Sequence, residues 1–186
     1  MEKLPYRVLQ VVTSMDRGGI ETMIMNHYRT IDRNKIQFDF LVHRTCRGAY
    51  DDEIEFLGGK IYRAFPIRPW NYHNYFKWLD NFFKEHNYYV AIHAHIQENS
   101  GFALKYAAKY GIRNRLSHSH STLTTFDSKY IFRMYAKKYI NKYATNRLSC
   151  GKIAGNSLFG PKSQYIIFKN AINSPLFTYN KDISLL

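Results

Sequence analysis

The sequence predicts a single α/β domain built on a doubly wound, mostly parallel, Rossmann-like sheet. Three observations predict it. Short β-rich runs alternate with longer segments of helical periodicity along the chain, the order expected when crossover helices join parallel strands. The strand runs are close to continuously apolar, as required when both sheet faces are covered. No internal repeat, low-complexity tract or interior linker interrupts the 186 residues, a length sufficient for one domain with its own core.

The elements follow in order. "RVLQVV" (7–12) reads as a buried strand and "ETMIMNHYRTI" (21–31) as a helix. "FDFLVH" (38–43) is a strand, and "AYDDEIEFLGG" (49–59) a helix that stops on Gly58-Gly59, because glycine takes up the left-handed conformation of a C-cap. "KIYRAF" (60–65) is a strand ended by "PIRPW", whose prolines forbid continuation. Phe76, Leu79, Phe82 and Phe83 mark one helical face of 71–87. A strand (89–96), a helix (100–112) and a strand (114–120) come next, then a long helix (128–144). Strands at 146–151 and 163–172 flank a short helical "GKIAGNSLFG".

Composition narrows the partners. Hydrophobic residues make up 45% and aromatics 17%, which specifies a folded protein. Lys and Arg number 27 against 14 acidic residues, a formal charge of +13. That surplus favours an anionic partner, whether nucleic acid, anionic lipid headgroups or a phosphorylated substrate. The start "MEKLPYRVLQVVTSM" lacks the form of a signal peptide, and no stretch approaches the roughly 20 apolar residues of a membrane span. Cys46 and Cys150 stand far apart with no C-x-x-C spacing, which suits two ordinary thiols in a reducing compartment.

Ligands of open parallel sheets bind outside the carboxyl ends of the strands, so the segments that follow the strands carry the chemistry. "TSMDRGGIE" follows the first, "HAHIQENS" the fourth and "SHSHST" the fifth. Three loops, 13–20, 95–100 and 118–125, are expected to converge on one edge. Gly18-Gly19 either makes a tight strand-to-helix turn or keeps backbone N–H groups bare at a helix N-terminus, where a phosphate or sugar hydroxyl binds. Neither G-x-G-x-x-G nor the P-loop pattern is present, which removes most support for nicotinamide and Walker-type readings. His93 with His95 and His118 with His120 are H-x-H pairs, each facing one side of its strand. Imidazoles so placed suit zinc, but no Asp, Glu or Cys accompanies them at metal-site spacing. Hydrogen bonding to a sugar or phosphate is the favoured reading, and neither a metal nor a cofactor is expected. In the helix 128–144, Ile131, Tyr135, Tyr139 and Tyr143 recur every four residues. Lys129, Arg133, Lys137, Lys138 and Lys142 lie beside them, either as a solvated face or as a contact for anionic lipid.

Four blocks in this order, "RVLQVVTSMDRGGIETMIMNHY", "VAIHAHIQENSGFALKYAAKYGI", "RNRLSHSHS" and "IIFKNAIN", resemble the N-terminal domain of family 4 retaining glycosyltransferases. Their two-domain fold is called GT-B. The likeness is to the subgroup that builds capsular polysaccharides and exopolysaccharides, and it covers nearly the whole chain. It implies a hexosyltransferase acting from a nucleotide-sugar donor on a lipid-linked saccharide acceptor at the cytoplasmic face of the plasma membrane. By resemblance, Gly18, Gly19 and Ile20 approach the donor diphosphate and the acceptor, with His95 and Asn99 beside them. His120 faces the transferred sugar or acceptor, with His118 as the fallback. Asn170 falls where the family has Asn-Gly, although Ala171 replaces the glycine here. Residues 1–175 are expected to form the domain and 176–186 the start of a connection. The donor-binding domain with its Glu-x7-Glu motif is not in this chain, so the expectation is an acceptor-side half that is inactive alone or works with a separate chain. The competing reading is a basic α/β nucleic-acid-binding domain without activity, although no RNP, KH or helix-turn-helix signature is present.

Overall fold

The computed structural model describes residues 4–122 and 130–170. Seven strands form one sheet: β1 (Tyr6–Val12), β2 (Ile36–Val42), β3 (Ile61–Arg63), β4 (Ala91–Ala94), β5 (Asn114–Ser119), β6 (Asn146–Ser149) and β7 (Ile166–Ile167). Every pairing is parallel, in the order β3-β2-β1-β4-β5-β6-β7. Six helices connect them: α1 (Gly19–Thr30), α2 (Asp51–Phe56), α3 (Tyr72–Glu85), α4 (Ser100–Lys109), α5 (Tyr130–Tyr143) and α6 (Lys152–Phe159).

Alternation along β1 builds two cores. Leu9 and Val11 point to one face, where they meet Leu79 and Phe83 of α3, Phe102 of α4 and Ala136 of α5. Val12 points the other way, to Met23 and Tyr28 of α1, Phe40 of β2 and Ile54 of α2. Because the chain runs outward from β1 in both directions, the segments leaving β1 and β4 diverge and open a crevice between them.

A buried carboxylate anchors the far end of the sheet. Asp39 accepts two hydrogen bonds from the Arg7 guanidinium (2.7 and 2.5 Å), one from the Lys60 amide (2.7 Å) and one from the Tyr89 hydroxyl (2.9 Å). Two glycines have packing reasons. Gly58, just past α2, has φ +89°, as the expected C-cap requires. A Cβ on Gly101 would collide with the Ala136 carbonyl oxygen, so glycine lets α4 and α5 close on each other.

The elements match the sequence expectation in kind and order, and differ at their ends. β7 holds two exposed residues rather than a long strand, because an edge strand has one neighbour and little apolar surface to bury. The expected domain boundary at 175, the segment 176–186 and Lys129 lie outside the described residues.

Candidate functional site

The strand ends assemble a cleft of about 510 Å³. Thr13, Gly19 and Ile20 enter it after β1, His43 and Arg44 after β2, and Pro66 to Arg68 after β3. His95, Gln97 and Asn99 come from beyond β4, His120 and Ser121 from beyond β5, and Asn170 from beyond β7. The three expected loops therefore meet at one edge, as far as they are described.

Gly18 and Gly19 do not serve a strained turn. Gly18 is the extended N-cap of α1, with φ −94° and ψ 171°, and neither glycine has a positive φ. A Cβ on Gly19 would meet nothing within 4 Å, so the bare backbone there benefits the cleft and not the packing. Gly18 stands one residue back, where a Cβ would run into the Glu21 carboxylate. The N–H groups of the first turn of α1 lack intrahelical partners and carry the positive end of the helix dipole. Arg44 and Arg68 add full charges to the same cleft.

Behind the cleft wall the histidines form a hydrogen-bonded chain. The Nε2–H of His95 donates to the Gln10 side-chain oxygen at 3.0 Å, leaving Nδ1 to accept from the Nε2–H of His120 at 2.8 Å. Burial pushes His120 down to about 4 and His95 well below the usual imidazole value, so both are neutral near pH 7. They add no positive charge to the cleft, and their mutual hydrogen bond fixes the orientation of both rings. His43 is also locked: Nδ1–H donates to the Val12 carbonyl at 2.8 Å, and Nε2 accepts from the Tyr75 hydroxyl at 2.9 Å.

Of the expected site residues, Gly19, Ile20, His95, Asn99, His120 and Asn170 line the cleft. His118 does not. It is fully buried within β5, because only residues past the strand end reach the rim, so the fallback reading of His118 as a substrate-facing residue is corrected. The basic residues of α5 do not share a face either. Lys137 is half-buried and donates to the Ser157 carbonyl of α6 at 2.8 Å, and burial lowers its pKa. Arg133 is half-buried and its charge acts on buried Glu98. Lys138 and Lys142 remain outward, Lys138 over the Tyr135 ring at 4.5 Å and Lys142 over the Tyr143 ring at 5.4 Å. The buried positions of α5 are Ala136 and Ile140 rather than the tyrosine row. Sequence reasoning passed over His43, Arg44 and Arg68, although the strand-end rule applied equally to "HRTCRG" and "PIRPW".

No protein-family model matches the chain. It is 37% identical over 181 residues to EpsF of Bacillus subtilis (strain 168), which bears the name putative glycosyltransferase, covering 94% of this chain and 47% of EpsF. It is 28% identical over 165 residues to the capsular polysaccharide biosynthesis glycosyltransferase CapH of Staphylococcus aureus, covering 84% of this chain and 43% of CapH. The chain is a homologue of glycosyltransferases. Its fold is that of a GT-B domain: HepE of Anabaena, crystallised in complex with UDP and glucose, superposes with a TM-score of 0.64 at 16% identity, over 91% of this chain and 46% of HepE. This glycosyltransferase homologue spans about half the length of the relatives it matches. Nothing in these likenesses supports the nucleic-acid-binding alternative. Among the described residues, no helix is long and apolar enough to cross a membrane.

Proposed function

We propose that this chain is the acceptor-side domain of a family 4 retaining glycosyltransferase, which moves a hexose from a nucleotide sugar to a lipid-linked saccharide in surface polysaccharide synthesis. One observation carries the reading: a glycosyltransferase homologue places Gly19, His95, His120 and Asn170 around a single cleft at the N-terminus of α1. The donor diphosphate lies against the bare amides of Gly18, Gly19 and Ile20, with Arg44 and Arg68 neutralising its charge. Neutral His120, its ring held by His95, forms the wall against which the transferred sugar or the acceptor packs. Asn99 and Asn170 supply further polar wall. Transfer needs donor and acceptor held together, so the reaction requires the remaining half of such an enzyme, on the same or a separate chain. The enzyme works at the inner face of the plasma membrane, drawn there by outward basic residues.

Two measurements test this on the 186-residue chain. Addition of UDP or UDP-glucose is expected to shift the backbone amide resonances of Gly19, Ile20, His120 and Asn170, with weak affinity. Transfer to a lipid-linked acceptor is expected to be absent for the chain alone. Resonance shifts elsewhere, or none, refute the site; robust turnover by this chain refutes the assignment as a half.

A further inference from the structure

Beneath the cleft lies a cluster of histidines of which the proposed transfer reaction uses only His95 and His120. β4 and β5 are neighbours, with His93 opposite Leu116 and Ala94 opposite Ser117, so the two H-x-H pairs lie side by side on one sheet face. Within each pair the ring centroids are 4.0 Å apart. His93 and His118 stack across the strands at 5.3 Å with 2° between their planes. One ring nitrogen from each of His93, His95 and His118 lies within 4.8 Å of the other two. His93 Nε2, both nitrogens of His118 and His120 Nδ1 are buried without a hydrogen-bond partner among the described residues, and buried polar atoms in that state call for a specific cause.

We propose that His93, His95 and His118 form a three-imidazole site for a divalent transition-metal ion of the zinc class. His93 in β4 and His95 just past its end, plus His118 from adjoining β5, place three imidazoles at the corners of a triangle. A neutral imidazole offers a metal one ring-nitrogen lone pair, the commonest protein ligand for such ions. Tetrahedral zinc at about 2.0–2.1 Å from each nitrogen sets neighbouring nitrogens about 3.4 Å apart. A mostly apolar cavity of about 210 Å³, walled by Met23, Ile24 and Phe38 among others, opens beside His93 and His95. His95 spends its nitrogens on Gln10 and His120, so the ion displaces one of these and leaves the other as the outer hydrogen bond that orients the ring. The ion ties β4 to β5 directly below the histidine that faces the cleft. The sequence argued against a metal because no acidic or thiol ligand stood nearby; the third ligand comes instead from strand pairing.

The test uses the untagged, metal-free chain. Calorimetric titration with Zn²⁺ is expected to show one tight equivalent, and Co²⁺ to give the strong visible absorption of a tetrahedral site. His93→Asn and His118→Asn are each expected to weaken binding at least about tenfold, whereas His73→Asn, on the exposed side of α3, leaves it unchanged. Should either buried variant fail to fold by circular dichroism, the parent protein decides: Zn²⁺ must shift the ring nitrogen resonances of His93, His95 and His118. Substoichiometric binding, binding that survives both variants, or shifts confined to exposed histidines overturns the proposal.

Discussion

Replacing Gly19 with leucine is expected to disable the cleft without harming the fold. Gly19 is the first residue of α1, its φ is not positive, and a Cβ there has nothing within 4 Å. The first side-chain carbon therefore meets no clash among the described residues. Removing glycine from a compatible position stabilises a protein by about 0.4–1 kcal/mol through the unfolded state. Exposing an apolar side chain offsets part of this, so the net change is within about 1 kcal/mol of the parent. The new side chain projects into the space the cleft keeps open, and UDP affinity is expected to fall at least tenfold, about 1.4 kcal/mol. Gly101→Ala is the matched opposite. Its Cβ collides with the Ala136 carbonyl and comes within 2.9 Å of Tyr139 Cβ and 3.0 Å of Ile140 N. Backbone on a packed helix cannot yield as a side-chain tip can, so stability falls by about 1–3 kcal/mol while UDP affinity is kept. Urea unfolding and UDP titration on the same samples give both quantities. The reasoning fails if Gly19→Leu unfolds like Gly101→Ala, or if it binds UDP as the parent does.

Other consequences concern stability and surface. Burial depresses His43 and His120 to about 4 and His93 to about 3, below the unfolded value near 6.5. The unfolded chain then binds more protons, so this stability is complete above about pH 6.5 and is lost as pH falls towards the folded values. The urea midpoint is expected to drop already between pH 6.5 and 5; a flat midpoint there contradicts it. Asp39→Ala strands the Arg7 guanidinium beside the sheet and removes acceptors for Tyr89 and the Lys60 amide. It is expected to cost about 3–5 kcal/mol, read from denaturant unfolding, and a loss below about 1 kcal/mol contradicts the anchor. For the membrane contact, Lys138→Glu with Lys142→Glu is expected to release the chain from anionic vesicles in flotation, salt weakening the parent's binding in the same way. Lys137→Glu is expected to act through stability instead, because it breaks the bond to Ser157. Equal flotation of double variant and parent removes α5 as the contact.

The sequence by itself determined the kind and order of the elements. The Phe76–Leu79–Phe83 spacing specifies α3, the apolar run Val8–Val12 specifies a buried strand, and Gly58-Gly59 marks the end of α2, because each depends on near neighbours in the chain. The strand-end rule also singled out the loops bearing Gly19, His95 and His120. Tertiary structure alone decided depth and adjacency. His118 and His120 look alike in "SHSHS", yet one is enclosed in β5 and the other reaches the cleft, since the strand stops at Ser119. Lys137 and Lys138 are consecutive, but about 100° of helical rotation turns the first onto α6 and the second to solvent. Pairing of β4 with β5 collects four histidines that 25 residues of chain hold apart. Such adjacency is set by which strands pair and in what register, a long-range choice made by burial of whole faces and carried by no local run of residues.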